Sequence, residues 1–134
     1  MNRREARKQA FILLFQHKFQ AEDMSELVSD FFENTKTGAQ KEYIDSVVNG
    51  TISKLDEIDA VLSEYSKDWS VDRISSVSLA ALRLGAYELL YCDDIPAPVS
   101  VSEAVSLAKE FEGEEAAPFV NGILGKLKDN LEKK

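Results

Sequence analysis

Six consecutive apolar residues, Ala10-Phe11-Ile12-Leu13-Leu14-Phe15, follow almost directly on a cluster of four cations, Arg3, Arg4, Arg7 and Lys8. At 100° per residue the apolar run covers every side of a helix, which predicts a rod buried in a core. The cations fall in the same helix. Arg3 with Arg7 and Arg4 with Lys8 are i,i+4 pairs, so the four share one side. Asn2 and Glu5 fit the N-x-x-E form of a capping box, so the predicted helix starts there and runs from about Arg3 to Phe19. That start sets cations at the positive pole of a helix, where each exposed one costs about 0.3–1 kcal/mol. Only Glu5 opposes them. A local rule broken without a local gain points to a functional site. The functional reading is a patch that contacts phosphates; the plain reading is a solvated basic face.

The charge balance favours the first. The chain carries a formal −8 over 134 residues, yet its first ten residues hold four cations and one anion, a net +3 that leaves −11 for the rest. A basic head can meet an anionic polymer, while the acidic body repels it elsewhere and attracts a basic protein. The length fits one domain, with two lobes expected at roughly 1–68 and 69–134. Cys92 and His17 are each the sole residue of their kind. No disulfide framework and no His/Cys metal set can form from them, and a reducing, cytoplasmic setting is expected. A catalytic triad would have to use His17, which continues the apolar run at helical spacing and reads better as a core-edge residue. No cleavage site follows the basic start, and no apolar run approaches the roughly 20 residues of a membrane span. The expectation is a protein with no catalytic residues, no metal and no cofactor.

Alternating runs bounded by hairpin dipeptides are nearly absent, whereas helix signals recur from end to end, so the fold class is all-α. A second helix is predicted from a cap at Asp23, with Leu27, Val28, Phe31 and Phe32 as its apolar side. Thr37 with Gln40 reads as another capping box. A long pattern then runs from Tyr43 to Tyr65, with a break somewhere between Gly50 and Asp56. Trp69 sits in a short connection that it should anchor. Ser76 to Tyr91 is apolar almost all round, which predicts a second buried helix, and Gly85 within it suits a close neighbour. Arg83 in that helix reads as a structural ion pair with Glu88 or Glu103 more readily than as a ligand contact, because a buried guanidinium must be paired. Ser100 with Glu103 gives a capping box for a helix ending near Phe111, with Val101, Ala104, Val105, Ala108 and Phe111 as its stripe. Pro118 suits the first turn of a last helix.

Rings accompany the cations. Phe11 and Phe15 fall on the side of Arg4 and Lys8, and cations followed by aromatics suit single-stranded nucleic acid, with charges on phosphates and rings on bases. Core packing fits Phe11 better; for Phe15 both roles stay open. Phe119 is either a stacking ring or a cover over a lobe junction.

The motifs occur in a telling order: R-R-x-A-R near the start, Trp69 with Arg73, L-R-L-G-A-Y-E-L at Leu82–Leu89, I-P-A-P-V-S-V-S-E-A-V-S-L-A-K at Ile95–Lys109 and P-F-V-N-G-I-L at Pro118–Leu124. In this the whole chain resembles the NusB family of bacterial transcription antitermination factors. The stretch from Trp69 to Leu124 is the specific part. The resemblance implies two small helical bundles that share a long N-terminal helix, about six to seven helices in all. It implies binding to boxA RNA in ribosomal RNA transcripts, together with a small-subunit ribosomal protein called NusE. Through other Nus factors it implies association with the RNA polymerase elongation complex, the free chain being a monomer or weak homodimer. By position, Arg3, Arg4, Arg7 and Lys8 match the family's arginine-rich RNA-binding segment. Phe15 stands where relatives often have tyrosine, so stacking survives without a hydroxyl. Phe119 matches an RNA-face position, and Glu115 an acidic site near the RNA and partner edge. Ser102 where the family often has asparagine and Gly125 where aspartate is common are departures outside the basic segment. The alternative is a non-catalytic helical module related to the domain that precedes ribosomal RNA cytosine methyltransferases.

Overall fold

The computed structural model describes residues 1–19, 24–66 and 70–132. The expected cap at Asp23 and the anchoring role of Trp69 lie outside the described residues. Within them the chain forms seven α-helices: α1 (Arg3–Phe19), α2 (Met24–Asn34), α3 (Lys41–Ser53), α4 (Leu55–Tyr65), α5 (Ser76–Tyr91), α6 (Ala97–Phe111) and α7 (Ala116–Glu132). Short 3-10 turns at Gly38–Gln40 and Val71–Arg73 precede α3 and α5.

The first helix is the shared rod that its apolar run predicts. Ala6, Ala10, Phe11, Leu13 and Leu14 are buried, and α1 packs against α2 and α3 on one hand and α5 and α6 on the other. The more central element is α5, which packs against α1, α3, α4, α6 and α7. Its buried run from Ser78 to Leu82, continued by Leu84, Gly85 and Ala86, explains why its sequence has no polar side. Gly85 makes that centre possible. A Cβ there would lie 2.6 Å from a Leu124 methyl and 3.0 Å from the Ala104 Cβ, so α6 and α7 close on α5 only over a bare backbone.

The break in the long pattern falls inside its expected range, whereas two capping boxes differ from the sequence reading. The long pattern continues through Gly50 and breaks at Lys54, whose φ of −107° and ψ of 17° leave the helical range. The Thr37–Gln40 capping box does not form: a 3-10 turn comes first, Thr37 makes no side-chain cap, and the Gln40 amide oxygen is taken by Arg3. Ser100 does not cap α6, which starts three residues earlier with Pro98 in its first turn. At both boxes a polar side chain found a partner on another helix instead: Gln40 accepts from Arg3 of α1, and Ser100 donates to Glu88 of α5.

Candidate nucleic-acid interface

The start of α1 is held as its sequence requires. The Asn2 Oδ1 accepts a hydrogen bond from the Glu5 backbone N–H at 2.8 Å, which satisfies one of the open donors of the first turn. The Glu5 carboxylate turns away from the cap and accepts from Gln9 at 2.9 Å.

The four cations do not stay on one face. Arg3 leans towards α3, its Nε donating to Gln40 at 2.7 Å and its guanidinium lying 4.1 Å from the centre of the Tyr43 ring. Arg4, 82% exposed, turns to α6 and donates to Glu103 at 3.1 Å. Lys8 also turns to α6, with its Nζ 2.9 Å from Glu110. Arg7 goes inward and is only 4% exposed. The expectation of four cations on one solvent face is thus corrected at Arg7, because α5 packs over that side of α1 and covers the Arg7 side chain.

The destination of Arg7 is Glu88, itself 1% exposed. Arg7 donates from Nε at 2.8 Å and from its terminal nitrogen at 3.3 Å. Tyr43 of α3 donates to the same carboxylate at 2.5 Å, and Ser100 of α6 at 2.8 Å. One buried anion therefore joins four helices with all its hydrogen bonds from charged or hydroxyl donors, the condition under which a buried charge is tolerated. Burial opposes the Arg7 charge, but the Glu88 hydrogen bond and carboxylate outweigh it and raise the guanidinium pKa above its ordinary value. Burial, followed by Glu88, pushes the Tyr43 hydroxyl far up, so it stays a donor. Arg83, expected to pair with Glu88 or Glu103, instead holds Asp59 of α4 in a two-pronged contact at 2.9 and 2.8 Å. Burial and then Arg83 lower the His17 pKa.

Between α1 and α6 lies an open groove of about 330 Å³, lined by Arg4, Arg7, Lys8, Glu103, Leu107 and Glu110 among others. Next to Lys8 lies a ring that its apolar spacing places in the core. Phe111, the last residue of α6, is 41% exposed; its ring centre lies 5.0 Å from that of buried Phe11 and 5.5 Å from the Lys8 ammonium. Phe11 is therefore the core ring and Phe111 the open one. The available signal was position: an aromatic that ends a helix just before an acidic loop has no next turn to cover it. Phe15 is half-buried against the core.

Phe119 and Glu115 sit elsewhere. They line a second cavity of about 410 Å³ with Arg73, Ile74, Glu112 and Ala116. There the Glu112 carboxylate, at the end of α6, accepts hydrogen bonds from Ser75 and Ser78 at the start of α5. Gly113 has φ of +133°, and its missing Cβ leaves room for the Glu115 carboxylate, which would otherwise lie 2.7 Å away. The structure thus brings Arg4, Arg7 and Lys8 to one groove, Phe119 and Glu115 to another, and sets Arg3 at the edge of a third hollow beside Tyr43. Among the described residues, no group of three or more His, Cys, Asp or Glu could hold a metal, and no helix is long and apolar enough to cross a membrane.

Fold and site together define a class: a small all-helical protein that presents cations and an open ring beside a groove at the positive pole of a shared central helix. Comparison with known proteins narrows the class. The pattern of the NusB family matches residues 4–129. Transcription antitermination protein NusB of Acetivibrio thermocellus is 42% identical over 128 residues, covering 95% of this chain and 88% of the relative. Its counterpart in Clostridium novyi is 38% identical over 130 residues, covering 95% and 98%. Among solved structures, T. maritima NusB superposes with a TM-score of 0.89 at 36% identity, covering 96% of this chain and 92% of that one. A structure of antitermination factors NusB and NusE in complex with dsRNA gives a TM-score of 0.86 at 30% identity, with 96% of each chain covered. The chain belongs to the NusB family.

Proposed function

We propose that this protein is a transcription antitermination factor that binds the boxA RNA of ribosomal RNA transcripts together with the ribosomal protein NusE, in the cytoplasm and without catalysis. The observation that carries the RNA reading is the α1–α6 groove, where Arg4 and Lys8 line an open channel and the exposed Phe111 ring lies beside Lys8. Phosphates would take the place of water and side-chain oxygens at Arg4 and Lys8, while an unstacked base lies on Phe111. Arg3 would extend the cationic track around the helix end, with its guanidinium already steadied by Tyr43. Arg7 serves from below, by fixing α1 against three other helices. Phe119 and Glu115 belong to the edge where RNA and protein partner meet, and Phe15 stacks or packs beside it. The family relationship supports this reading, as does the solved assembly of related NusB and NusE with dsRNA. The net −11 beyond the first ten residues supports a basic protein partner, through steering more than through tight contact.

The test is an RNA-binding curve for boxA-like against scrambled single-stranded RNA, with and without the ribosomal protein, at several salt concentrations. With Arg7 buried, three cations remain to neutralise phosphates, so the log–log salt slope should be about −2. The partner should tighten boxA binding more than scrambled binding. A flat salt response, or no heterodimer at low salt, would reject the proposal.

A further inference from the structure

Of the three cations that line the groove, the two open to solvent, Arg4 and Lys8, are already engaged in the free protein, and by the same element. Arg4 and Lys8 stand four apart on α1, and their partners Glu103 and Glu110 stand seven apart on α6, two turns along one side of that helix. Two acids thus face two bases across an open channel. We propose that α6 carries an internal substitute for the RNA backbone: Glu103 and Glu110 occupy the places of two phosphates and set the affinity threshold that any RNA must exceed. This rests on the RNA reading given above.

The two acids are built for different parts in the exchange. Glu103 is 16% exposed and also lies 3.6 Å from the buried Arg7 guanidinium, so it keeps a cation when Arg4 leaves it. Its carboxylate stays in place and Arg4 alone moves, which keeps a partly buried charge from being stranded. Glu110 is 51% exposed and pairs with Lys8 directly, at 2.9 Å, on the solvent side of the groove. When a phosphate takes Lys8, Glu110 turns into solvent at little cost, because exposed pairs of this kind are weak. RNA can therefore displace both, but each displacement subtracts from the gain of a phosphate contact. Phosphate contacts carry no sequence information, so the subtraction falls equally on every strand. A strand that adds base contacts stays above the threshold; a random strand held by charge alone drops below it.

Glu110→Gln separates this role from a structural one. The side chain is exposed, so the variant keeps its fold, which thermal unfolding verifies. Wild type and variant are titrated with boxA-like and scrambled RNA over a range of salt, beside Glu64→Gln, which removes the same charge from the exposed side of α4. Glu110→Gln should bind both RNAs about two- to fivefold tighter at low salt, by the same factor for each. The gain should fade as salt rises, since it is a screened interaction. Glu64→Gln should change little. Unchanged or weaker binding by Glu110→Gln overturns the proposal, as does an equal gain in Glu64→Gln, which would make the effect one of net charge. If wild type itself shows no salt-dependent RNA binding, the RNA reading fails and takes this one with it.

Discussion

Glu88 accepts hydrogen bonds from Arg7, Tyr43 and Ser100 in a setting that excludes water, so each of those donors is held by what its loss would expose. Arg7→Ala leaves a buried carboxylate without its cation, and the expected cost is about 3–5 kcal/mol of unfolding free energy, measured by denaturant titration. Arg7→Lys should recover part of that loss, since the ammonium restores charge but cannot reach the carboxylate with two prongs. In neither variant should the salt slope of RNA binding by the folded fraction change, because no phosphate contact is removed. Cys92 offers a second check at this scale. Burial, then the Glu88 and Asp94 carboxylates, push its thiol pKa up to about 11. Both causes disfavour the thiolate, so the fraction ionised at pH 8 falls below that of an exposed cysteine. Alkylation should be about a hundredfold slower than for a free thiol at pH 8, rise as pH approaches 11, and become fast at pH 8 once the chain is unfolded.

At the scale of helices, the junction of α5, α6 and α7 depends on Gly85. Gly85→Ala should cost about 1–3 kcal/mol, because the new methyl meets Ala104, which cannot move without its helix, as well as Leu124, which can turn aside. Pairing the change with Leu124→Ala should recover less than half of the loss in a thermal melt, since only one of the two contacts is relieved. Helix limits themselves were largely legible. The apolar run of α1, the near-total apolarity of α5 and Pro118 in the first turn of α7 are local properties, and a helix is a local structure. The missed boundaries share one cause. Gln40 and Ser100 have side chains that cap helices in isolation, but Arg3 and Glu88 offered charged partners across the fold, and charge-assisted hydrogen bonds are the stronger ones.

Over the whole molecule, opposite charges are laid out in series. A basic helix end lies against α6, with its Glu103 and Glu110, and the chain beyond the first ten residues carries a net −11. A long-range field of this kind guides an anionic strand to one end and a basic protein to another, without fixing either contact. The site was half legible at this scale. The cations of α1 stand out by their number at the wrong pole of a helix, and that is the feature that makes this end the candidate site. Which ring accompanies them did not follow: the sequence offered Phe11 and Phe15, and packing delivered Phe111 from a residue a hundred positions away from Phe11.

An all-helical chain, a buried first rod and a separation of charge were legible in the residues alone, because periodicity and composition act between near neighbours. Only the tertiary structure decided that Arg7 belongs to the core while Lys8 beside it belongs to the groove. Both are cations in the same turn, and what divides them is the angle at which α5 and α6 meet α1, a quantity set by interlocking side chains from the whole chain and written in no single segment.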